Sequence, residues 1–276
     1  MSLIILNDNY LINGRESVAL DPFDRGLAFG DGIFRTFKVS DGNPLHWDYQ
    51  FNKLLHDANF LGIDPPKEEL LLNDIKILFE PSGIFIAKFI ITRGSSNRGY
   101  STPLNIEPNR ILLKSNYLPL KNDLYEKGVI LEFSTIKVSS NLKLDAIKHL
   151  NRLENVLAKQ ALSSVAFDAI MLDDNSLINE CISHNILMRY GNDLFIPKQN
   201  KAGVSGVSTQ IIINYIKELG FTVNERDINE EQLLKADEIV IMNSVNGALP
   251  VKQIKDKKWN TVNLAYEINQ LFKKIK

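Results

Sequence analysis

The apolar positions in the first part of the chain follow two different periods. Residues 47–61 and 67–79 carry apolar side chains every three to four positions, which is the pattern of helices that cover a core. Residues 33–39, 84–92 and 110–118 alternate or run apolar over the length of a strand. This part of the chain is therefore predicted to combine a sheet with two helices.

The second part has more strands than helices. Strands are predicted at residues 129–134, 168–172, 178–182, 186–190, 221–224 and 238–242, and helices at residues 150–162, 211–219, 230–234 and 264–273. Residues 243–250 are predicted as a loop. The many strands and the absence of a G-x-G-x-x-G segment argue against a doubly wound fold and favour a mixed α+β fold. Residues 119–127 have the pattern of a linker, so we predict domains at 1–118 and 128–276.

Composition narrows the class of protein. The chain has 276 residues, of which 44% are hydrophobic, and its formal net charge of −1 gives no excess of positive charge for nucleic acid or an anionic membrane. No apolar run approaches the roughly 20 residues of a membrane span, and the N-terminus lacks the basic segment of a signal peptide. The one cysteine, Cys181, fits a reducing compartment, and the four histidines are scattered. We expect a soluble, cytoplasmic protein without a metal site.

Lys148 is the first candidate for chemistry. It precedes an amphipathic run and follows apolar neighbours, among them Ala146 and Ile147. Burial there would lower the pKa of the amine and free it as a nucleophile or base. A solvated surface lysine is the alternative that this segment alone leaves open.

Three further segments suggest what Lys148 would serve. The sequence GVSGVS (203–208) directly before a helix is a candidate phosphate cradle, and NSVNG (243–247) is a second small polar loop. Glu180 lies inside an apolar strand, where a carboxylate needs a partner. Each has a plain alternative. Segment 203–208 would be an ordinary helix start capped by Ser208, segment 243–247 a simple turn, and Glu180 a strand residue that faces outward. Together they match pyridoxal 5'-phosphate, which needs a lysine, an acid at its pyridine nitrogen and a phosphate cup.

These segments resemble a known family. DRGLAFGDGIF (24–34), NECISHN (179–185) and residues 236–251 are similar to signatures of the class IV, or fold-type IV, pyridoxal-phosphate enzymes. Within the family, KHLNRL (148–153) and RGSSNRGYS (93–101) most resemble the aminodeoxychorismate lyases. The resemblance implies a mixed α/β fold with a smaller N-terminal α+β domain and a larger C-terminal pseudo-barrel domain.

The resemblance also implies roles for single residues in cofactor binding. Lys148 is implied to bind pyridoxal 5'-phosphate covalently, and Glu180 to pair with its pyridine nitrogen. Val207 and Ser208 are implied to bind the phosphate through backbone N–H groups, with Ser244 as a further contact.

Other implied roles concern the substrate. Thr36 matches a threonine that faces the cofactor in the lyases. Arg93 and Arg98 lie on a loop that gathers substrate contacts in the family, and their planar guanidinium groups suit a dicarboxylate. The alternative for both is an ordinary solvated arginine on a loop, and Arg93 could equally have a structural role. Fold-type IV relatives are homodimers, so we expect a homodimer with a small-molecule substrate.

The sequence also departs from the family pattern. The positions of the usual H-x-x-R-L helix read Gln50 and Lys53, so we expect Lys53 to contact the phosphate without the two-point geometry of arginine. Thr209 stands where many members carry arginine after the phosphate turn, and Arg35 replaces the glutamate of many aminotransferases. The first two departures weaken the expected phosphate cup.

The implied activity is elimination of pyruvate from aminodeoxychorismate to give p-aminobenzoate, a step of folate biosynthesis. One alternative is a class IV aminotransferase that acts on D- or branched-chain amino acids with the same lysine. Another is a paralogue that binds the cofactor without turnover, which the departures at Gln50, Lys53 and Thr209 would suit.

Overall fold

A computed structural model describes residues 9–16, 18–139, 141, 143–144, 146–198 and 203–275. Contacts divide the chain into two compact units, one of Met1–Leu118 with Lys148–Asn151 and one of Pro119–Ile147 with Arg152–Lys276. The segment predicted as a linker lies in the second unit and contains a short helix. The division into an N-terminal domain and a cofactor-binding domain stays a prediction.

The first unit is built on a five-stranded antiparallel sheet in the order β1-β5-β4-β2-β3. Its strands are β1 (Tyr10–Ile12), β2 (Gly32–Ser40), β3 (Asn43–Pro44), β4 (Ile84–Thr92) and β5 (Asn109–Asn116). Its helices are α1 (Arg25–Phe29), α2 (Trp47–Phe60) and α3 (Glu68–Leu78). The helices predicted at 47–61 and 67–79 are therefore confirmed to within two residues at either end.

The two faces of this sheet differ because side chains alternate along each strand. Along β2, Ile33, Phe37 and Val39 are buried on the face that α2 covers. The side chains between them, Phe34, Thr36 and Lys38, are only half-buried on the opposite face. The sheet therefore has one face packed on helices and one more open face.

The second unit is built on a nine-stranded mixed sheet in the order β11-β10-β9-β12-β13-β6-β7-β8, with β14 paired to β13. Its strands are β6 (Val129–Phe133), β7 (Asp168–Leu172), β8 (Ile178–Cys181), β9 (Asn185–Tyr190), β10 (Asp193–Pro197), β11 (Thr222–Arg226), β12 (Glu238–Asn243), β13 (Gly247–Ile254) and β14 (Lys257–Lys258). Its helices are α4 (Asn122–Glu126), α5 (Leu153–Ala161), α6 (Val207–Tyr215), α7 (Glu230–Leu234) and α8 (Asn263–Lys274).

This sheet curls until its two ends meet. Strands β8 and β11 are the two ends of the strand order. The N–H of Ile178 in β8 donates to the carbonyl of Ile228, which lies two residues after β11. Leu177 and Asn229 form a β-bridge beside that bond. The curled sheet encloses an apolar core that includes Ile170. This geometry agrees with the pseudo-barrel expected for the C-terminal part.

Some local predictions were wrong. Residues 247–250 belong to β13 instead of a loop, because Gly247 takes a left-handed φ of 72° and closes a tight hairpin against β12. Pro250 sits within that ladder opposite Val240, and a proline is a poor strand signal. The strand β10 was missed. Helix α5 begins at Leu153 instead of residue 150, because the preceding residues pair with β2.

Within the ranges that the structure describes, no helix combines the length and the apolar character that crossing a membrane requires.

Candidate functional site

The first unit holds Lys148 by its main chain. The Lys148 carbonyl accepts from the N–H of Phe34 at 2.9 Å, and the N–H of Leu150 donates to the Gly32 carbonyl at 3.0 Å. The Lys148 N–H donates to Asp57 Oδ2 at 3.1 Å. Lys148 is therefore fixed beside β2 before its side chain is considered.

The Lys148 side chain reaches the more open face of the sheet. Its Nζ lies 4.8 Å from the centroid of the Phe34 ring, and Lys88 Nζ lies 4.8 Å from the same centroid. Thr36 follows Phe34 by two positions on β2 and pairs with Lys88 on β4, so its side chain is on this face. The amine of Lys148, the hydroxyl of Thr36 and the amine of Lys88 thus share one surface of the first unit.

Asp57 on α2 is the common partner of several groups below this surface. Its carboxylate is completely buried and pairs with Lys53 one helical turn earlier and with Arg35 on β2, both buried as well. The pKa of the adjacent His56 is lowered by partial burial and further by the positive charges of Lys53 and Arg35. Lys53, predicted to contact a phosphate, therefore has a carboxylate partner within the protein.

The loop that carries Arg93 and Arg98 is fastened by arginine side chains. Arg93 donates to both oxygens of Asp31 and to the carbonyls of Leu61 and Gly62 at 2.7–3.0 Å. Burial by itself would raise the pKa of Asp31, but the hydrogen bonds and charges of Arg93 and Arg25 hold it below its usual value. These contacts favour the structural interpretation of Arg93.

Arg25 holds the rest of this loop. Its buried guanidinium donates to Ser96 Oγ and to the Tyr100 carbonyl, each at 3.0 Å. Arg98, between these two anchors, is exposed. The loop is thus fixed at its two ends while Arg98 projects a charge from the surface of the first unit.

In the second unit, Glu180 is buried on β8 with 6% of its surface exposed. Its Oε2 accepts from the N–H of Val204 at 3.2 Å. The pKa of Arg152 is lowered by burial, which the negative charges of Glu180 and Glu154 partly offset. The alternative of an outward-facing strand residue does not describe Glu180.

The segment 203–208 leads into α6, although the helix begins at Val207, four residues before the predicted start at residue 211. The N-cap residue of α6 is Gly206, which has no side chain to cap the helix. Ser208 is the second residue of the helix, so it is not the cap that the alternative interpretation required. A Cβ on Gly206 would lie 1.8 Å from Asn185 Oδ1, which explains why a glycine precedes the helix.

Thr209 adds a polar atom to this helix terminus. Its side chain is 6% exposed, and its Oγ1 has no hydrogen-bond partner among the described residues. A buried hydroxyl without a partner costs about 1–3 kcal/mol. Together with the N–H groups of the first helical turn, it forms a donor set suited to an anion.

Ser244 lies in the turn between β12 and β13. Asn243 Oδ1 accepts from the N–H groups of Val245 and Asn246 at 3.0 and 2.7 Å, and this ring of bonds shapes the turn around Ser244. Asn243 Nδ2 donates to the Ser183 carbonyl at 3.0 Å. The turn is therefore tied to the β8–β9 turn, which follows the strand that carries Glu180.

Two functional candidates were missed by the sequence analysis. Asp57 follows Lys53 by four positions, and that spacing on a helix would have indicated an ion pair. Lys88 interrupts an otherwise apolar strand, which marks it in the same way as Glu180. Among the described residues, no group of His, Cys, Asp and Glu side chains is arranged to hold a metal ion.

Comparisons with known proteins cover most of the chain. The sequence model of the family described as amino-transferase class IV matches residues 32–254. The crystal structure of 4-amino-4-deoxychorismate lyase from Pseudomonas aeruginosa is similar with a TM-score of 0.89 and 30% identity, over 96% of this chain and 98% of that one. An aminodeoxychorismate lyase of Vibrio harveyi is 29% identical over 89% of this chain and 91% of its own length. A D-alanine aminotransferase of Bacillus licheniformis is 27% identical over 88% of this chain and 87% of its own length.

Proposed function

The chain belongs to the amino-transferase class IV family, and we propose that within it the protein acts as a 4-amino-4-deoxychorismate lyase. Family membership confirms two expectations from the sequence, the fold type IV architecture and an enzyme that depends on pyridoxal 5'-phosphate. The proposed reaction releases pyruvate from the substrate and leaves p-aminobenzoate, an aromatic precursor in folate biosynthesis.

The observation that carries the proposal is the shared placement of Lys148 and Thr36. Both side chains belong to the more open face of the first unit's sheet. The Lys148 amine contacts the ring of Phe34, and Thr36 follows Phe34 by two positions on β2. A base and a proton donor are the two groups that an elimination needs. The similarity to the lyase from Pseudomonas aeruginosa, at 30% identity over 96% of the chain, points to the same reaction.

The donor groups fit the cofactor. The start of α6, with a glycine as its N-cap residue and the unpartnered Thr209 Oγ1, suits a phosphate, and Ser208 and Val207 supply backbone N–H groups there. Buried Glu180 suits a cationic ring nitrogen, and Lys148 offers the amine. We propose these roles, with Ser244 as a further phosphate contact.

Each of these residues would have a separate role in the proposed reaction. Bound pyridoxal 5'-phosphate would supply an electron sink for the carbon from which a proton is lost. Lys148 Nζ would remove the proton from the ring carbon that bears the substrate's amino group. Thr36 Oγ1 would donate a proton to the enolpyruvyl oxygen as its bond to the ring breaks, and Glu180 would keep the ring nitrogen of the cofactor positively charged.

Cations on the same face suit a substrate with two carboxylates. Lys88 pairs with Thr36 across the sheet, and Lys38 lies two positions further along β2. Burial lowers the pKa of Lys38, so an anion nearby would favour its charged form. We propose that these lysines and exposed Arg98 attract the carboxylates, while Arg93 anchors the loop. For Lys53 we propose a role in cofactor binding, with its charge balanced by Asp57.

A second candidate function is an aminotransferase, which the similarity to the D-alanine aminotransferase of Bacillus licheniformis favours. The two are distinguished by adding aminodeoxychorismate to the purified protein without any keto acid. The lyase proposal expects equal amounts of pyruvate and p-aminobenzoate and an unchanged visible band of the bound cofactor. Loss of that band on adding D-alanine, without those products, would move the assignment to an aminotransferase.

Two further parts of the proposal concern assembly and location. Large apolar side chains are exposed on the first unit, namely Phe23, Leu27, Tyr100 and Leu104. Exposed apolar side chains of this kind are ones that the proposed homodimer would cover. Cys181 is buried as a free thiol, which suits a reducing compartment such as the cytoplasm.

A further inference from the structure

His184 joins two separate parts of the second unit. It is buried, with 4% of its surface exposed, in the turn between β8 and β9. Its Nδ1 lies 2.6 Å from Asp168 Oδ2, and its Nε2 lies 3.2 Å from Asn246 Nδ2. Since a carboxylate only accepts and an amide nitrogen only donates, Nδ1 donates to Asp168 and Nε2 accepts from Asn246.

Asp168 is a rigid support for the imidazole. Its Oδ1 accepts from the N–H groups of Ala169 and Ile182 at 2.8 and 3.1 Å, and its Oδ2 accepts from Ser183 Oγ at 2.9 Å. Burial by itself would raise the pKa of Asp168, but these bonds and His184 hold it below its usual value. The orientation of the His184 ring is therefore determined by an ionised, fully bonded carboxylate.

The other end of His184 holds the turn that contains Ser244. That turn has two side-chain ties to the β8–β9 turn: Asn243 Nδ2 donates to the Ser183 carbonyl, and Asn246 Nδ2 donates to His184 Nε2. The two ties flank Ser244 in the sequence. Tyr125 Oη also donates to the Asn246 carbonyl at 2.9 Å, so this end of the turn is held by its main chain from Tyr125 and by its side chain from His184. Without the His184 bond, the Asn246 side chain would lose its tie to the β8–β9 turn.

We propose that His184, oriented by Asp168, is a positioning residue that fixes the Ser244 turn for the cofactor's phosphate. This inference rests on the proposed function, in which Ser244 contacts that phosphate. In this role His184 acts through its hydrogen bond with Asn246. Groups that orient the ligands of a metal site change affinity by about 10- to 100-fold when they are removed, and we expect an effect at the lower end of that range here.

The test compares two cofactor forms that differ only in the phosphate. Dissociation constants of the apoprotein are measured for pyridoxal 5'-phosphate and for pyridoxal, in the wild type and in H184N and H184Q. Asparagine can donate to Asp168 as Nδ1 does but does not reach Asn246, whereas glutamine presents an amide oxygen near the position of Nε2. We expect H184N to weaken pyridoxal 5'-phosphate about 10-fold with pyridoxal unchanged, and H184Q to recover most of that loss.

Two more variants keep the result interpretable. N246A removes the amide and leaves the His184–Asp168 pair, so it should weaken pyridoxal 5'-phosphate binding as much as H184N does. If H184N does not fold, N246A alone tests the proposal. E238Q is the matched control, because Glu238 is buried on the same strand as Asn243 but at its other end, with Arg189 and the Leu264 N–H as partners. It should lower stability without changing the ratio of the two dissociation constants.

Each remaining outcome overturns one claim. Equal weakening of both cofactor forms in H184N and N246A, or no weakening in either, would overturn the positioning role of His184. A changed ratio in E238Q would reduce the effect to general destabilisation and overturn it as well. A wild type that does not prefer pyridoxal 5'-phosphate over pyridoxal would overturn the proposed function, and this inference with it.

Discussion

The carboxylate of Asp57 accepts a hydrogen bond from the main-chain N–H of Lys148 at 3.1 Å. The same carboxylate pairs with Lys53 and Arg35, so one buried acid on α2 joins two cations to the segment that carries Lys148. The cluster therefore links the packing of α2 on its sheet to the position of the lysine.

Replacing Asp57 by asparagine should destabilise the protein strongly. The change leaves the charges of Lys53 and Arg35 buried without their shared carboxylate, and loss of one partner of a buried ion pair costs about 3–5 kcal/mol. Denaturant unfolding of the apoprotein measures this cost. The matched control is D123N, since Asp123 pairs with Lys127 at the surface and should contribute less than about 1 kcal/mol. Equal effects of the two substitutions would contradict a central role for Asp57.

Thr36→Val should remove a proton donor and leave the fold and cofactor binding intact. Thr36 is half-buried on the open face, and valine keeps its shape without the hydroxyl. We expect kcat for pyruvate release to fall about 10²–10⁴-fold while the visible band persists, and T36S to retain much of the rate. Full turnover in T36V would exclude Thr36 as the donor.

Thr209→Val should weaken binding of the phosphate group. The buried Oγ1 has no partner among the described residues, and a hydrogen bond to a charged group contributes about 1.5–3 kcal/mol. The dissociation constant of pyridoxal 5'-phosphate should rise at least about 10-fold in T209V, with T209S close to the wild type. If valine left the constant unchanged, the hydroxyl would not belong to the phosphate cup.

Arg93 and Arg98 should respond differently to alanine substitution. R93A removes the hydrogen bonds to Asp31 and to two carbonyls, so it should lower the free energy of unfolding and loosen the loop. R98A removes an exposed charge and should raise KM for a dicarboxylate substrate without changing stability. Thermal unfolding and steady-state kinetics on both variants measure the contrast. A loss of stability in R98A with unchanged KM would reverse the assignment.

The sequence supported the larger elements and the candidate chemistry more firmly than the contacts between them. Helix α2 was predictable because its apolar residues repeat with the helical period over many positions. The pair of Lys53 and Asp57 was within reach of the same pattern, since four positions separate them. Arg35 comes from a distant strand, so only the folded chain could show that it shares Asp57.

The surroundings of Lys148 depend on tertiary contacts that its local sequence does not show. Local pattern placed this lysine at the start of an amphipathic helix, but the helix begins at Leu153 and the lysine pairs with β2 instead. The apolar stripe of α5 is itself exposed at Leu153 and Val156. Periodicity indicates that a face is apolar, but it does not say what covers that face.

The most direct measurement of the central claim is the number of turnovers without an acceptor. Purified protein loaded with pyridoxal 5'-phosphate is mixed with excess aminodeoxychorismate and no keto acid, and pyruvate and p-aminobenzoate are counted per chain, with K148A in parallel. A lyase that uses Lys148 should release many equivalents of both products in equal amounts, whereas K148A should release almost none. A wild type that stops at one equivalent, or K148A with the rate of the wild type, would contradict the account.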